Sequence, residues 1–445
     1  MFDGIMSFMV NEFQKRVLVM ALFAGELMMK SGAEVYRVEE TIVRLCRACK
    51  IDYVECFATT TGIFLSLDSG KKDDDVQTFI KRIHYNEIDL KKISRLNQFS
   101  REFTTTDLSV DTGFQRLKTI AAETRYSVLL RILGAILVGA FLCPLFGGGP
   151  IDSVCAGMIG GVIYTISMLI EMLQFPKFIR TFVGCGICAF LAIILFSAGL
   201  NPTLGPVITA GMSIYLPGVA ITNAARDMLS GDMLAGLSRL AEAILLAVGI
   251  AGGVGIVMKF YSLWSGGLMI ANTSSYPFWL LGICALFAVL GFCILFHSPP
   301  STMLYASLIG AAGQMVMKYL ISLDYDSTVA CFIGACVLAV LAEFGSRAGK
   351  DATTIFIIPG IIPLVPGARL YDSMMELLNG DMASAASQAT SAIVTSLSIA
   401  AALVVVSSLT RLFVSIVRRI DKLINSKTDP DDDDPTNFTD PDNLE

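Results

Sequence analysis

The chain has 445 residues, 54% of them hydrophobic and only 16% charged, with a mean hydropathy of +0.65 and a formal charge of −6. That balance excludes a soluble globular protein. It also excludes a nucleic-acid binder: no basic, aromatic-interleaved patch is present, and many acids sit in a Pro-punctuated tail, Asp429 to Glu445, that reads as disordered.

The first 115 residues are dense in charge and contain no uninterrupted apolar span. No secretory signal is expected, because the apolar run from Val17 to Ala24 is short and is followed by Glu26 and Lys30. Helical periodicity runs from Val10 to Met29, and Ser31-Gly32 breaks it. A second helix is expected from Ala33 to about Cys49, with Val35, Val38, Ile42 and Leu45 on one face and an i,i+4 pair between Glu40 and Arg44. Cys46 and Cys49 form a C-x-x-C in mid-helix, which reads as a reduced structural pair rather than a redox centre. Ile51 to Phe57 and Gly62 to Leu67 read as strands closed by turn residues Asp68 to Lys71. Asp73, Asp74 and Asp75 would cap a helix through Ile80, Ile83 and Ile88, and another helix from about Asp107 would lead into the membrane. Residues 1–115 are therefore expected to form a small soluble cytoplasmic α+β domain, and 116–126 a linker helix.

Ten spans follow from hydropathy, near 127–146, 151–171, 180–199, 203–218, 235–258, 278–297, 301–321, 328–345, 353–366 and 384–409. The fourth and ninth are short and broken by Pro and Gly. Lys177, Arg180, Arg226, Arg239, Arg347, Lys350, Arg411, Arg418, Arg419 and Lys422 fall on one side, against Lys259, Lys318 and Arg369 on the other. The positive-inside rule then puts both termini in the cytoplasm and Trp264 in an outer loop. Residues 411–445 make a basic juxtamembrane segment and the acidic tail.

One stretch occurs twice. Leu216 to Met233 (LPGVAITNAARDMLSGDM) aligns without a gap on Val365 to Met382 (VPGARLYDSMMELLNGDM), and Gly211, Ala243 and Ile250 fall on Gly360, Ala392 and Ile399. That register means duplication. Each copy would hold five spans, 127–276 and 277–410, and an odd number inverts the second copy relative to the first. The fold class is thus an α-helical polytopic membrane protein of about ten helices in two inverted five-helix repeats, plus the N-terminal α+β domain. This is the architecture of secondary transporters.

The stretch from Ala24 to Ile42 (AGELMMKSGAEVYRVEETI), then Thr60 to Phe64 (TTGIF), and the repeated Pro-Gly stretches resemble the threonine/serine exporter (ThrE) family. The similarity covers the whole chain except the acidic tail. It implies export of threonine or serine coupled to the proton-motive force, in the inner or plasma membrane. In some relatives the two halves are separate subunits reported to export dicarboxylate, so a succinate-like solute is the alternative. A membrane-anchored ligand sensor is the rival from another class.

A transported zwitterion needs a partner for its carboxylate and one for its ammonium. Helix ends at Pro217-Gly218 and Pro366-Gly367 offer backbone groups for an anion, though Pro and Gly also simply kink membrane helices. After each break Asn223 aligns with Asp372 and Asp227 with Glu376, with Arg226 and Arg369 nearby; these ten residues are the candidate substrate and gating set. Interfacial helices with solvated charges would explain them equally. Asp232 and Asp381 suit N-caps.

Among ionisable groups within spans, Glu343, Glu242, Asp227 and Glu376 are candidates for proton coupling. Arg131, Glu171, Arg239 and Gln314 also stand out, and Arg239 with Glu242 could pair at i,i+3. In the N-terminal domain Glu34, Arg37, Glu39 and Thr41 belong to the family-like stretch, either as helix-face salt bridges or as a regulatory contact with the cytoplasmic mouth. No nucleophile–His–acid set is present, since the histidines are His84 and His297. No enzymatic role, cofactor or metal is expected. Partners are a small solute, protons and lipid, and a homo-oligomer is compatible with the sequence.

Overall fold

The computed structural model describes residues 2–51, 53–67, 77–83, 87–229, 231–265 and 274–428. Helix α1 (Phe2–Lys30) ends at Gly32, whose φ of +83° turns the chain into α2 (Val35–Ala48). The α2 face predicted from spacing is buried: Val35, Val38, Ile42 and Leu45 are each at most 1% exposed. Three antiparallel strands follow in the order β1 (Val54–Thr59), β2 (Gly62–Leu67) and β3 (Gln77–Arg82). The hairpin turns at Thr60-Thr61. The Asp68 to Lys71 turn, Asp73 to Asp75, His84 and the tail from Asp429 lie outside the described residues.

The helix expected through Ile80 and Ile83 is instead β3, because Gln77 to Arg82 pair with Leu67 to Gly62 along the open edge of β2. Cross-strand pairing outweighs a local pattern that fits either state. Glu26 of α1 ties this strand down through Lys81 (2.9 Å) and also pairs with Lys30 of its own helix (2.7 Å). Helices α3 (Leu90–Thr105) and α4 (Val110–Ala122) complete the domain. The predicted helical linker departs from this: α4 stops at Ala122, and a non-helical stretch leads to the first apolar helix.

The rest of the described chain is mainly helical: α5 (Val128–Leu142), α6 (Pro150–Met172), α7 (Lys177–Leu195), α8 (Leu204–Gly211), α9 (Gly218–Leu229) and α10 (Met233–Ser265). The same series recurs as α11 (Phe278–Leu295), α12 (Pro300–Ser322), α13 (Ser327–Gly349), α14 (Thr354–Ile361), α15 (Gly367–Asn379) and α16 (Met382–Thr428). Eight helices among the described residues are long and apolar enough to cross a membrane, and the bent segment from Leu204 to Leu229 makes a ninth if it counts as one span. The chain is a multi-pass membrane protein. The expected fourth and ninth spans are the exceptions: α8 and α14 have eight residues each, with every residue of α14 and all of α8 but Gly205 buried. Trp264 lies in the last turn of α10, 87% exposed, and not in a loop.

Packing repeats with the sequence. Helix α9 packs on α16 of the other copy, and α15 on α10. The first helices of the two copies, α5 and α11, run antiparallel: Gly134 meets Gly291 and Ile294, and Phe141 stacks on Phe287 at 4.8 Å. Small residues let membrane backbones approach this closely. A Cβ on Gly291 would stand 2.6 Å from the carbonyl oxygen of Gly134, an atom that cannot rotate away. Gly291→Ala is therefore expected to cost about 1–3 kcal/mol through overpacking, seen as a lower melting temperature in detergent. Gly380→Ala would not force such a steric clash, since nothing lies within 4 Å of its Cβ position.

The N-terminal domain docks where α5 begins and α11 ends. The amides of Leu90 and Lys91, orphan donors in the first turn of α3, bond the carbonyls of Phe296 and His297 just past α11, each at 2.9 Å. The Tyr126 hydroxyl donates to the Ser298 carbonyl at 2.6 Å. One apolar core runs without interruption from α1 to α4 into α12, α13, α14 and α16.

Candidate functional site

A cavity of about 390 Å³ runs from the N-terminal domain at Gly32, Thr60 and Glu87 into the membrane helices and reaches Pro217, Gly218, Asn223, Val365 and Gly367. Its size falls in the range of small-molecule sites. The walls come from polar stripes at helical spacing near one end of each helix: Tyr164, Ser167 and Glu171 on α6, Lys177, Arg180 and Thr181 on α7, and Arg239 and Glu242 on α10. Most wall charges are paired. Lys177 Nζ lies 2.6 Å from Glu242, Arg180 lies 3.4 Å from Glu171, and Arg125 contacts Glu87.

Arg131 on α5 differs. Among the described residues it has no carboxylate within ion-pair distance, its Nε is buried without a hydrogen-bond partner, and its neighbour is the Tyr164 hydroxyl. Beside it His297 stacks on Tyr126 (5.8 Å between centroids) with both ring nitrogens buried and unpartnered. Burial, with Arg125, Arg131 and Lys92 adding to it and Asp89 opposing, lowers the His297 pKa to about 4, so the ring is neutral at physiological pH.

At the far end the duplicated breaks meet. A Cβ on Gly218 would overlap Val365, and a Cβ on Gly367 would lie 2.9 Å from Leu216. Val365 is the counterpart of Leu216 and Gly367 of Gly218, so the two contacts exchange under the repeat. Each break therefore packs against the residue of the other copy that matches its own Leu216 or Val365.

The remaining predicted residues are not on the lining of the cavity. Arg226 of α9 pairs with Glu34 of α2, their side chains 12% and 5% exposed, and it sits in the field of Tyr36, Asp227 and Glu343. Asp227 is 2% exposed and lies 2.9 Å from Arg239, an ionic contact without hydrogen-bond alignment. The expected Arg239–Glu242 pair is therefore not made; each joins another helix, Arg239 to Asp227 and Glu242 to Lys177. Glu343 accepts from the Thr353 hydroxyl at 3.4 Å.

In the second copy Arg369 has no acid within 4 Å among the described residues. It donates to the hydroxyls of Ser327 (2.7 Å), Thr395 (2.9 Å) and Ser391. Asp372 is exposed and Glu376 half-buried, with Pro366 between α14 and α15. Asp381 caps α16 through the Ser384 amide at 3.0 Å, which holds its carboxyl below the usual range. Asp232 leaves Oδ2 unpartnered among the described residues.

In the N-terminal domain Arg37 donates to Thr354 of α14 (2.6 Å), Glu39 accepts from the Ala58 amide (2.7 Å), and Thr41 is buried. Burial pushes the Cys46 thiol up to about 12, which makes it inert as a nucleophile. No group of His, Cys, Asp and Glu among the described residues is arranged to hold a metal. Sequence reasoning named Arg131 and Glu171 but missed Tyr164, Ser167, Thr181, Glu87 and Arg125. The i,i+3,i+7 stripe of Tyr164, Ser167 and Glu171 within an apolar span was the available signal.

Residues 19–261 match the family described as putative threonine/serine exporter, and residues 281–409 match that described as threonine/serine exporter, ThrE. A probable threonine/serine exporter of Mycobacterium tuberculosis is 23% identical, covering 82% of this chain and 71% of its own length. The threonine/serine exporter of Corynebacterium glutamicum is 22% identical over 82% of this chain and 76% of its own. A probable succinate transporter subunit of Escherichia coli is 27% identical over 58% of this chain and 98% of its own. No solved structure matches.

Proposed function

The chain belongs to the threonine/serine exporter family, and from that premise we propose that it exports threonine or serine by proton-coupled alternating access between two inverted repeats. The observation that carries this reading is the reciprocal contact of the two Pro-Gly breaks at the end of the cavity. Two elements related by a two-fold can exchange conformations, so a cavity open on one side has a mirror state open on the other.

The antiparallel packing of α5 and α11 supports an odd number of crossings per copy. If the bent α8–α9 segment crosses the bilayer, α5 to α10 make five passes and the second copy starts from the opposite face. Residues 127–276 and 277–410 are then the two repeats. The cations predicted to lie inside cluster where the N-terminal domain packs, which supports cytoplasmic termini and a cavity facing the cytoplasm.

In this reading Arg131 holds the solute carboxylate, with Tyr164 beside it, and Glu171, Glu242 or Asn223 receives the ammonium. Asp227 and Glu343 around Arg226 are the groups for proton coupling, with Glu242 and Glu376 as further candidates. Loaded cells or inverted vesicles should then show threonine or serine flux that collapses with an uncoupler. Flux unchanged by the uncoupler sinks the coupling, and no flux of either amino acid sinks the substrate.

One observation favours a second reading. Five cations (Arg125, Arg131, Lys177, Arg180, Arg239) line the cavity against three acids (Glu87, Glu171, Glu242), a balance suited to a dicarboxylate. Succinate flux in the same vesicles, with none of threonine or serine, would decide for it.

A further inference from the structure

A second pocket lies outside this pathway, between α2 and α3 of the N-terminal domain, with a volume of about 270 Å³. One face of α2 supplies Arg37, Glu40, Thr41 and Arg44; the facing side of α3 supplies Asn97, Ser100 and Arg101. These spacings put each set on a single helical face. Three guanidinium groups thus line the pocket with one carboxylate, Glu40, which Arg44 holds, while Arg37 also lies 3.8 Å from Glu34 outside the pocket lining. Arg101 has no acid partner among the described residues.

The neutral groups point to what the pocket accepts. Asn97 and Ser100 are 8% and 2% exposed, and Asn97 Nδ2 and Ser100 Oγ have no hydrogen-bond partner among the described residues. The amide orientation is fixed, because Asn97 Oδ1 accepts from Arg37 Nη2 at 3.1 Å and a guanidinium can only donate. The Nδ2 group therefore offers donors, and a serine hydroxyl rotates to do the same. Buried donors without acceptors are costly. Guanidinium groups beside them select an acceptor-rich anion with planar or tetrahedral oxygens.

We propose that the α2–α3 pocket is a binding site for a small oxyanion, a phosphate or carboxylate group, held by Arg37, Arg44 and Arg101 with Asn97 and Ser100. The volume suits a small ion better than a nucleotide. The site also has a lever. Arg37 reaches Thr354 in the first turn of α14, and Glu34, one turn earlier on α2, contacts Arg226 on α9. An anion that draws Arg37 inward weakens its bond to Thr354, so occupancy biases the helices flanking both Pro-Gly breaks. The cytoplasmic domain then acts as a ligand-sensing element of the transporter.

The test uses the full chain in a neutral detergent, titrated by calorimetry with inorganic phosphate and, separately, with succinate. Saturable binding of either is expected, weakened about tenfold or more by Arg101→Gln and by Ser100→Ala and unchanged by Lys15→Gln, an exposed position on α1 that lines neither pocket. Displacement of bound phosphate by phosphatidylglycerol nanodiscs would name a lipid headgroup as its source, and no displacement would name a soluble ion. Circular dichroism checks that the variants are folded. Absence of saturable binding of both probes, or binding indifferent to Arg101→Gln and Ser100→Ala, overturns the proposal and leaves a water-filled pocket. Binding lost only in Arg131→Gln would assign the anion to the transport cavity and overturn it equally.

Discussion

Arg131→Gln is expected to raise the apparent KM for the exported solute by about 10- to 150-fold, the equivalent of about 1.5–3 kcal/mol for one charged hydrogen bond. The other cavity cations have acid partners that they must leave to bind a solute: Lys177 has Glu242, Arg180 has Glu171, Arg125 has Glu87 and Arg239 has Asp227. Arg131 needs no such exchange, because its buried Nε has no partner to give up. A carboxylate arriving at Nε gains a charge-assisted bond without breaking an ion pair. Arg131→Lys keeps the charge and loses the planar fork, so an intermediate KM is expected. The chromatographic profile should stay unchanged, since the shorter neutral glutamine leaves α5 packed on α6 and α11. Flux with an unaltered KM in both variants would remove Arg131 from the solute path and leave it as a partner of Tyr164.

How much of this was legible in the sequence depends on whether a pattern is local. The α2 face, the Ser31-Gly32 turn and the apolar helices follow from spacing and run length, which neighbours along the chain set alone. The duplication was legible because two copies can be compared residue by residue, and the structure adds what comparison cannot: Gly218 touches Val365 while Gly367 touches Leu216. Strand β3 was misread because Ile80 and Ile83 fit a helical spacing, and only the open edge of β2, set by pairing across a turn, decides against it. The ion pairs failed for the same reason. Arg239 and Glu242 suit each other on paper, but Asp227 and Lys177 on packed helices lie nearer. Long-range contacts also explain why the cavity was seen only in part: Pro217, Gly218 and Asn223 were named, whereas Tyr164 becomes a neighbour of Arg131 only once α6 folds against α5.

Breaking the Glu34–Arg226 pair is expected to have the largest effect on how the N-terminal domain is held. Both side chains are nearly buried, and removing one partner of such a pair strands the other charge, at about 3–5 kcal/mol. Glu34→Ala should therefore raise hydrogen exchange along α9 and expose the α2 region to protease, with opening increased about a hundredfold or more. The first copy's arginine is tied to the soluble domain through Glu34, whereas its neighbour in the second copy, Arg369, is held by hydroxyls of Ser327, Ser391 and Thr395 within the membrane helices. The latch thus ties down the first copy alone, and its loss should change the rate of solute flux more than the apparent KM. Glu34→Arg combined with Arg226→Glu restores opposite charges at the same positions and should recover both protection and rate in part. Recovery would be incomplete, because Asp227 and Glu343 lie near Arg226 and would repel a carboxylate placed there. Protection in Glu34→Ala equal to that of the unaltered chain would mean that the α3–α11 junction, through Leu90 and Lys91, holds the domain by itself.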